Sequence, residues 1–157
     1  DGWKHGKRDP GTLFDIIGAK VRNNMIFRRE SGDTGISLHH ARDFEVAHNT
    51  VILNGTYPDC IEYRFAGTAG RIAANLTDGP ITARDSAVAE LAGNVTSAIP
   101  GWFASAGAGD LHLTAGAAEQ LRRTGQPASG VEDDFDGQAR PDGDNAAGAD
   151  EIVPDGR

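Results

Sequence analysis

A single cysteine, Cys60, occurs among 157 residues, so no internal disulfide braces the chain. Placed directly before the apolar Ile61, it reads as a small buried hydrophobe. No apolar stretch approaches the roughly 20 residues of a membrane-spanning helix, and no membrane span is expected. Positive charge is in short supply: the net charge is −8, which gives nucleic acid no support as a partner. Absent too are a Ser–His–Asp order, a phosphate-binding loop and a Cys/His spacing suited to a metal. The acidity is also uneven. Residues 131–157 hold nine acidic and two basic side chains, whereas residues 1–30 hold seven basic and four acidic.

What the chain does have is a repeat. Gly35-Ile36-Ser37-Leu38-His39 is followed, ten residues past Ile36, by Val46-Ala47-His48-Asn49-Thr50-Val51. Ile61-Glu62-Tyr63-Arg64-Phe65 leads to Ile72-Ala73-Ala74-Asn75-Leu76-Thr77, and Ile81-Thr82-Ala83-Arg84-Asp85 leads to Leu91-Ala92-Gly93-Asn94-Val95-Thr96. Val21-Arg22-Asn23-Asn24-Met25-Ile26 is a half-preserved earlier copy. Asn24, Asn49, Asn75 and Asn94 are thus 25, 26 and 19 residues apart. Two short alternating runs per unit, each ending in a turn-forming residue, at a period in the low twenties indicate a stacked repeat. Stacking in register forms one internal column from Ile36, Ile61 and Ile81 and another from Val46, Ile72 and Leu91. The four asparagines form a side-chain amide ladder at a bend.

The h-x-x-N-x-h segments at 46–51, 72–77 and 91–96 resemble those of right-handed parallel β-helix proteins, the pectate-lyase-like and chondroitinase-B-like polysaccharide lyases. The resemblance implies an all-β, right-handed parallel β-helix (a solenoid) of about four incomplete coils over residues 1–113. A short helical closing segment, 114–130, and an acidic, largely irregular tail, 131–157, follow. Residues 1–11 read as a loop entering the first coil, Ala115–Arg123 as two helical turns stopped by Gly125, and everything from Gln126 as extended or disordered. The opening Asp1-Gly2-Trp3 has no initiator Met or signal core, and the chain is expected to be the C-terminal part of a longer protein. An exposed first coil then invites self-association.

A second resemblance covers the end. Gly109-Asp110-Leu111-His112-Leu113, Asp134-Phe135-Asp136-Gly137-Gln138-Ala139-Arg140-Pro141 and Gly148-Ala149-Asp150-Glu151 are similar to the closing segment of bacterial extracellular β-helix repeat proteins. The chain departs from that pattern at Ala146-Ala147, where the family has an Asp-Ile pair. Together the two resemblances imply a secreted or cell-surface bacterial protein.

Alignment on the isoleucines places Ser37, Glu62 and Thr82 in one outward column and His39, Arg64 and Arg84 in the next, with rungs about 4.8 Å apart. Adjacent guanidiniums repel unless an anion lies among them, and Glu62 is close enough to pair with either. The lyase resemblance implies that such a face grips acidic polysaccharide. An Arg or Lys would take the proton beside the uronate carboxylate, and calcium or a second basic group would neutralise that carboxylate. Arg64 or Arg84 is then base or clamp, with His39 and Glu62 beside it and Ser37, Thr82 and Trp102 as sugar contacts. His39 and His40, adjacent on a strand, are expected to point to opposite faces. Asp85 is assigned to a turn. Asp134–Gly137 and Asp142–Asn145 have calcium-like carboxylate spacing but no terminal Glu at position twelve, and no metal ligand set is assigned. Three readings follow: a lyase acting by β-elimination, a non-catalytic glycan-binding module, and a structural spacer or adhesin segment.

Overall fold

A computed structural model describes residues 13–125, 130–141 and 145–151. The proposed entry loop at 1–11 lies outside them. The first repeat contains β1 (Ile16–Ile17), β2 (Lys20–Arg22) and β3 (Met25–Phe27), and the second β4 (Ile36–His39), β5 (Ala41–Ala47) and β6 (Thr50–Ile52). The third contains β7 (Ile61–Arg64), β8 (Ala69–Ala73) and β9 (Leu76–Thr77), and the fourth β10 (Ile81–Arg84) and β11 (Val88–Ala92).

Strands of equal rank pair in parallel from one repeat to the next. One sheet runs β4–β7–β10, a second runs from β1 and β2 through β5 and β8 to β11, and a third runs β3–β6–β9. Ile36 lies opposite Ile61 and Ile61 opposite Ile81. Val21, Val46, Ile72 and Leu91 form a second unbroken column. The repeats are therefore all-β with parallel sheets. Each carries up to three strands where the sequence suggests two. The segment Val46–Val51 is not one strand, because His48 takes a left-handed φ of 52° and turns β5 into β6. Asn23, Ala74 and Gly93 stand at the same bend with φ of 53°, 54° and 59°. A left-handed His or Ala is unfavourable by itself, so packing enforces the bend.

The inward residues of all three sheets meet in one cluster that includes Ile36, Leu38, Phe44, Val46, Val51, Ile61, Tyr63 and Ile72. Burying each such side chain contributes roughly 1.5–3 kcal/mol. Phe44 follows a bulge at Asp43 (φ 54°) and closes over Gly70. A Cβ on Gly70 would sit 2.4 Å from the Phe44 carbonyl oxygen, so only glycine fits there.

A 3-10 turn at Pro100–Trp102 leads into an antiparallel hairpin of β12 (Phe103–Ser105) and β13 (Asp110–Leu113), then helix α1 (Ala115–Leu121). Thr114 caps α1 by accepting from the Ala117 N–H. The helix stops two residues short of the expected Arg123, which itself takes the left-handed φ of 64°. Gly125 matters for packing instead, since a Cβ there would meet the Ala146 carbonyl oxygen at 2.6 Å. Phe103, Leu111, Leu113, Leu121 and Ala146 form a second cluster with Ile52 and Leu76 of the repeats.

The segment from Gln126 onward departs most from expectation. Its described parts are packed: Val131, Asp134, Arg140 and all of 145–151 are buried. Polar pairing replaces apolar burial here. Arg140 donates to Asp133 O, Glu151 Oε2, Asn23 Oδ1, Gly148 O and Ala149 O, all within 3.2 Å. Asp134 accepts from the N–H groups of Asp136, Gln138 and Glu151. Ala146 N–H donates to Glu151 and Ala147 N–H to Thr124. Among the described residues no helix is long and apolar enough to cross a membrane.

Candidate functional site

The outward face of β4, β7 and β10 is set by their register. Ser37 lies beside Glu62 and Glu62 beside Thr82, and His39 lies beside Arg64 and Arg64 beside Arg84. Glu62 is the hub of these six. Its carboxylate accepts from Arg84 Nη1 at 2.7 Å, lies 3.6 Å from Arg64 Nε and 3.9 Å from His39 Nε2, and is 3% exposed despite facing outward. Ser37 Oγ bonds His39 Nε2 at 2.8 Å, and Thr82 Oγ donates to Asp59 at 2.6 Å.

Asp85 does more than turn the chain. Left-handed at φ 52°, it accepts from Arg64 Nε and Nη2 at 3.0 and 2.8 Å. Arg64 also lies over the Phe65 ring, 4.9 Å from its centroid. The two histidines do not point apart. His40 leaves the strand with φ 45° and stacks on Phe65 at 4.4 Å, while His39 meets the same ring edge-on at 5.4 Å.

The guanidiniums differ in what they have to offer. Arg64 spends two donors on Asp85 and faces Glu62 as well. Among the described residues Arg84 makes one hydrogen bond, to Glu62, and 43% of its side chain is exposed. That bond and the charge of Glu62 push the Arg84 pKa up from its ordinary value, so the group is held protonated. Such an arginine is poorly disposed to take a proton and well disposed to bind a carboxylate. Trp102 stands elsewhere, partly buried against the cluster of Phe103, Leu111 and Leu121.

The asparagine ladder is continuous. The backbone N–H and side-chain amide of Asn24 both donate to Asn49 Oδ1, those of Asn49 to Asn75 Oδ1, and those of Asn75 to Asn94 Oδ1. Each amide also donates back to the preceding rung: Asn49 to Val21 O, Asn75 to Val46 O and Asn94 to Ile72 O.

For a metal ion, the expected carboxylate run at 134–137 divides. Asp134 is committed to backbone N–H groups, whereas Asp136 joins His112 and Asp150, whose ligand atoms lie within 4.8 Å of one another. His112 uses both ring nitrogens, Nδ1 to Asp110 at 2.6 Å and Nε2 to Asp136 at 3.1 Å. Asp110 raises the His112 pKa, and a protonated ring satisfies both contacts without a metal. Of the run 142–145, only Asn145 lies within the described residues. Cys60 is buried, its thiol pushed up to about 12 by desolvation and by Asp78, which makes it unreactive. Neither a protein-family model, nor a curated protein, nor a solved structure matches this chain.

Proposed function

We propose that this chain is a right-handed parallel β-helix module, secreted or displayed at a cell surface, whose β4–β7–β10 face binds acidic polysaccharide without cleaving it. The observation that carries this is the exposed, singly bonded Arg84 guanidinium beside Arg64 on one outward column. Arg84 has unused N–H donors in the planar fork that matches a uronate carboxylate. Ser37, Thr82 and His39 lie on the flanking rungs, suited to sugar hydroxyls. β-Elimination requires a base, and Glu62 keeps Arg84 protonated, so Arg84 serves as clamp.

Binding to alginate, pectate or chondroitin at low salt tests the proposal, with a neutral glucan as control. Arg84→Ala should weaken binding roughly ten- to a hundred-fold, the worth of a charge-assisted hydrogen bond. Arg84→Lys should retain only part, and added salt should weaken the wild type. No ultraviolet absorbance from unsaturated sugar ends should develop. Its growth would restore the lyase reading, and absence of binding to every acidic glycan would refute the proposal. One observation favours a purely structural module instead: Arg64 and Arg84 each already hold a carboxylate within 3 Å, leaving the column locally neutral.

A further inference from the structure

Among the described residues the repeat stack has two ends, and their chemistry is complementary. Among the described residues, β1 and β2 at the first end pair with β5 on one side only, and β11 at the last end pairs only with β8. One outward column reads Lys20, Glu45, Arg71, Glu90 from first end to last. Its charges alternate and finish with a cation at one end and an anion at the other. A neighbouring column reads Ile17, Arg42, Ala69, Val88 and exposes an aliphatic residue at each end, Ile17 at 64% and Val88 at 63%. Beside it, Ile81, Leu91, Asn94 and Thr96 help line an open groove of about 460 Å³ on the last repeat.

The asparagine ladder is directional in the same sense. The amides of Asn24, Asn49 and Asn75 each donate to the Oδ1 of the next repeat's asparagine, so among the described residues the ladder ends with an unused acceptor and unused donors. Asn24 Oδ1 accepts nothing from any described residue. The Asn94 N–H and its forward-facing amide hydrogen have no acceptor among the described residues.

We propose that the last end of one copy joins the first end of a second copy, head to tail, as a continuation of the parallel sheets. This rests on the ladders and owes nothing to the glycan-binding proposal. The register that already relates one repeat to the next then sets Val88 against the second copy's Ile17, Glu90 against its Lys20 and Leu91 against its Val21. Asn94 donates to Asn24 Oδ1 of the next copy, and that Asn24 donates back to Leu91 O, repeating the pattern seen inside the chain. Strand addition of this kind satisfies the free edge groups of both copies. Because the joined surfaces differ, the contact is heterologous and can repeat without closing.

The test uses the whole 157-residue chain in sedimentation and light scattering over a range of concentration. Wild type should show an average mass that climbs with concentration and falls with added salt, since Glu90 and Lys20 meet at an exposed junction. Ile17→Lys and Val88→Lys each place a charge on an edge at an exposed position, and each variant alone should remain monomeric. Circular dichroism and a thermal unfolding curve would show that both retain the fold. Mixed in equal amounts they should form a dimer and nothing larger, because each supplies the end that the other has lost. A wild-type chain that stays monomeric at every concentration, with this edge covered by its own residues or by nothing, overturns the proposal. So do single variants that associate like wild type, and so does a mixture that stays monomeric.

Discussion

Asn75 shows what one polar side chain does inside this stack. It is fully buried, accepts two hydrogen bonds from Asn49 and donates to Asn94, Val46 and Ala73. Asn75→Ala leaves the Asn49 N–H without an acceptor and removes one acceptor from the Asn49 amide, and should destabilise the protein by roughly 1–3 kcal/mol. Asn24→Ala, at the end of the ladder where the side-chain oxygen accepts nothing from the described residues, should cost a few tenths of a kcal/mol. Urea unfolding of the two variants measures the difference, and equal costs would mean that the ladder does not carry load as drawn. The ladder was legible in the sequence because a recurring Asn at a bend has few other uses. Glu62 was legible as a partner of Arg64, but Asp85 was not. The turn at Asp85 is legible, but its reach to Arg64 depends on two successive left-handed residues, Asp85 and Ser86, which the sequence does not announce.

At the level of elements, the strand columns could be read because alternating apolar residues and a fixed offset define the register. The third strand of each repeat could not. In the second and third repeats its boundary is His48 or Ala74, where the left-handed bend falls one residue before the asparagine that signals it. The closing segment escaped for a different reason: with few apolar residues it resembles a solvated tail, yet a buried ion pair holds it. Arg140 Nη1 and Glu151 Oε2 are 3.0 Å apart with side chains only 1% and 6% exposed. Arg140→Ala should therefore cost about 3–5 kcal/mol, because it strands a buried carboxylate. The double replacement Arg140→Met with Glu151→Leu removes the stranded charge but should recover only part of that loss, because the carbonyls of Asp133, Gly148 and Ala149 and the Ala146 N–H then lose their side-chain partners. Chemical denaturation of both variants gives the comparison, and a single variant of near wild-type stability would show that the pair is not the lock.

For the whole molecule, acid is the informative variable. His48 is 0% exposed beneath the closing segment, near the backbone of Gly148 and Ala146, and burial with Arg140 nearby lowers its pKa to about 3. The unfolded chain takes up this proton below about 6.5 and the folded chain does not. The contribution of His48 is thus full above 6.5 and drains away as pH falls toward 3, on the order of 4–5 kcal/mol in all. Burial raises the pKa of Asp150 and of Glu151, and these groups act in the opposite direction. Comparison with His48→Asn, which keeps a residue tolerant of left-handed φ, isolates the histidine. The stability difference between the two proteins should narrow as pH drops through that window, and a constant difference would remove His48 from the account.

Asn23, in the earliest repeat, donates to the Asp133 carbonyl and accepts from Arg140, while Arg22 donates to Gly130. These contacts span 108 to 117 positions of sequence. Neighbouring repeats can zip together locally, but this clasp closes a loop that takes in all the repeats from Asn23 onward, with the entropic cost and slowness that such closures carry. During synthesis at about 5–20 residues per second, the bend at Arg22 and Asn23 therefore stays incomplete until residues 130–140 have been made.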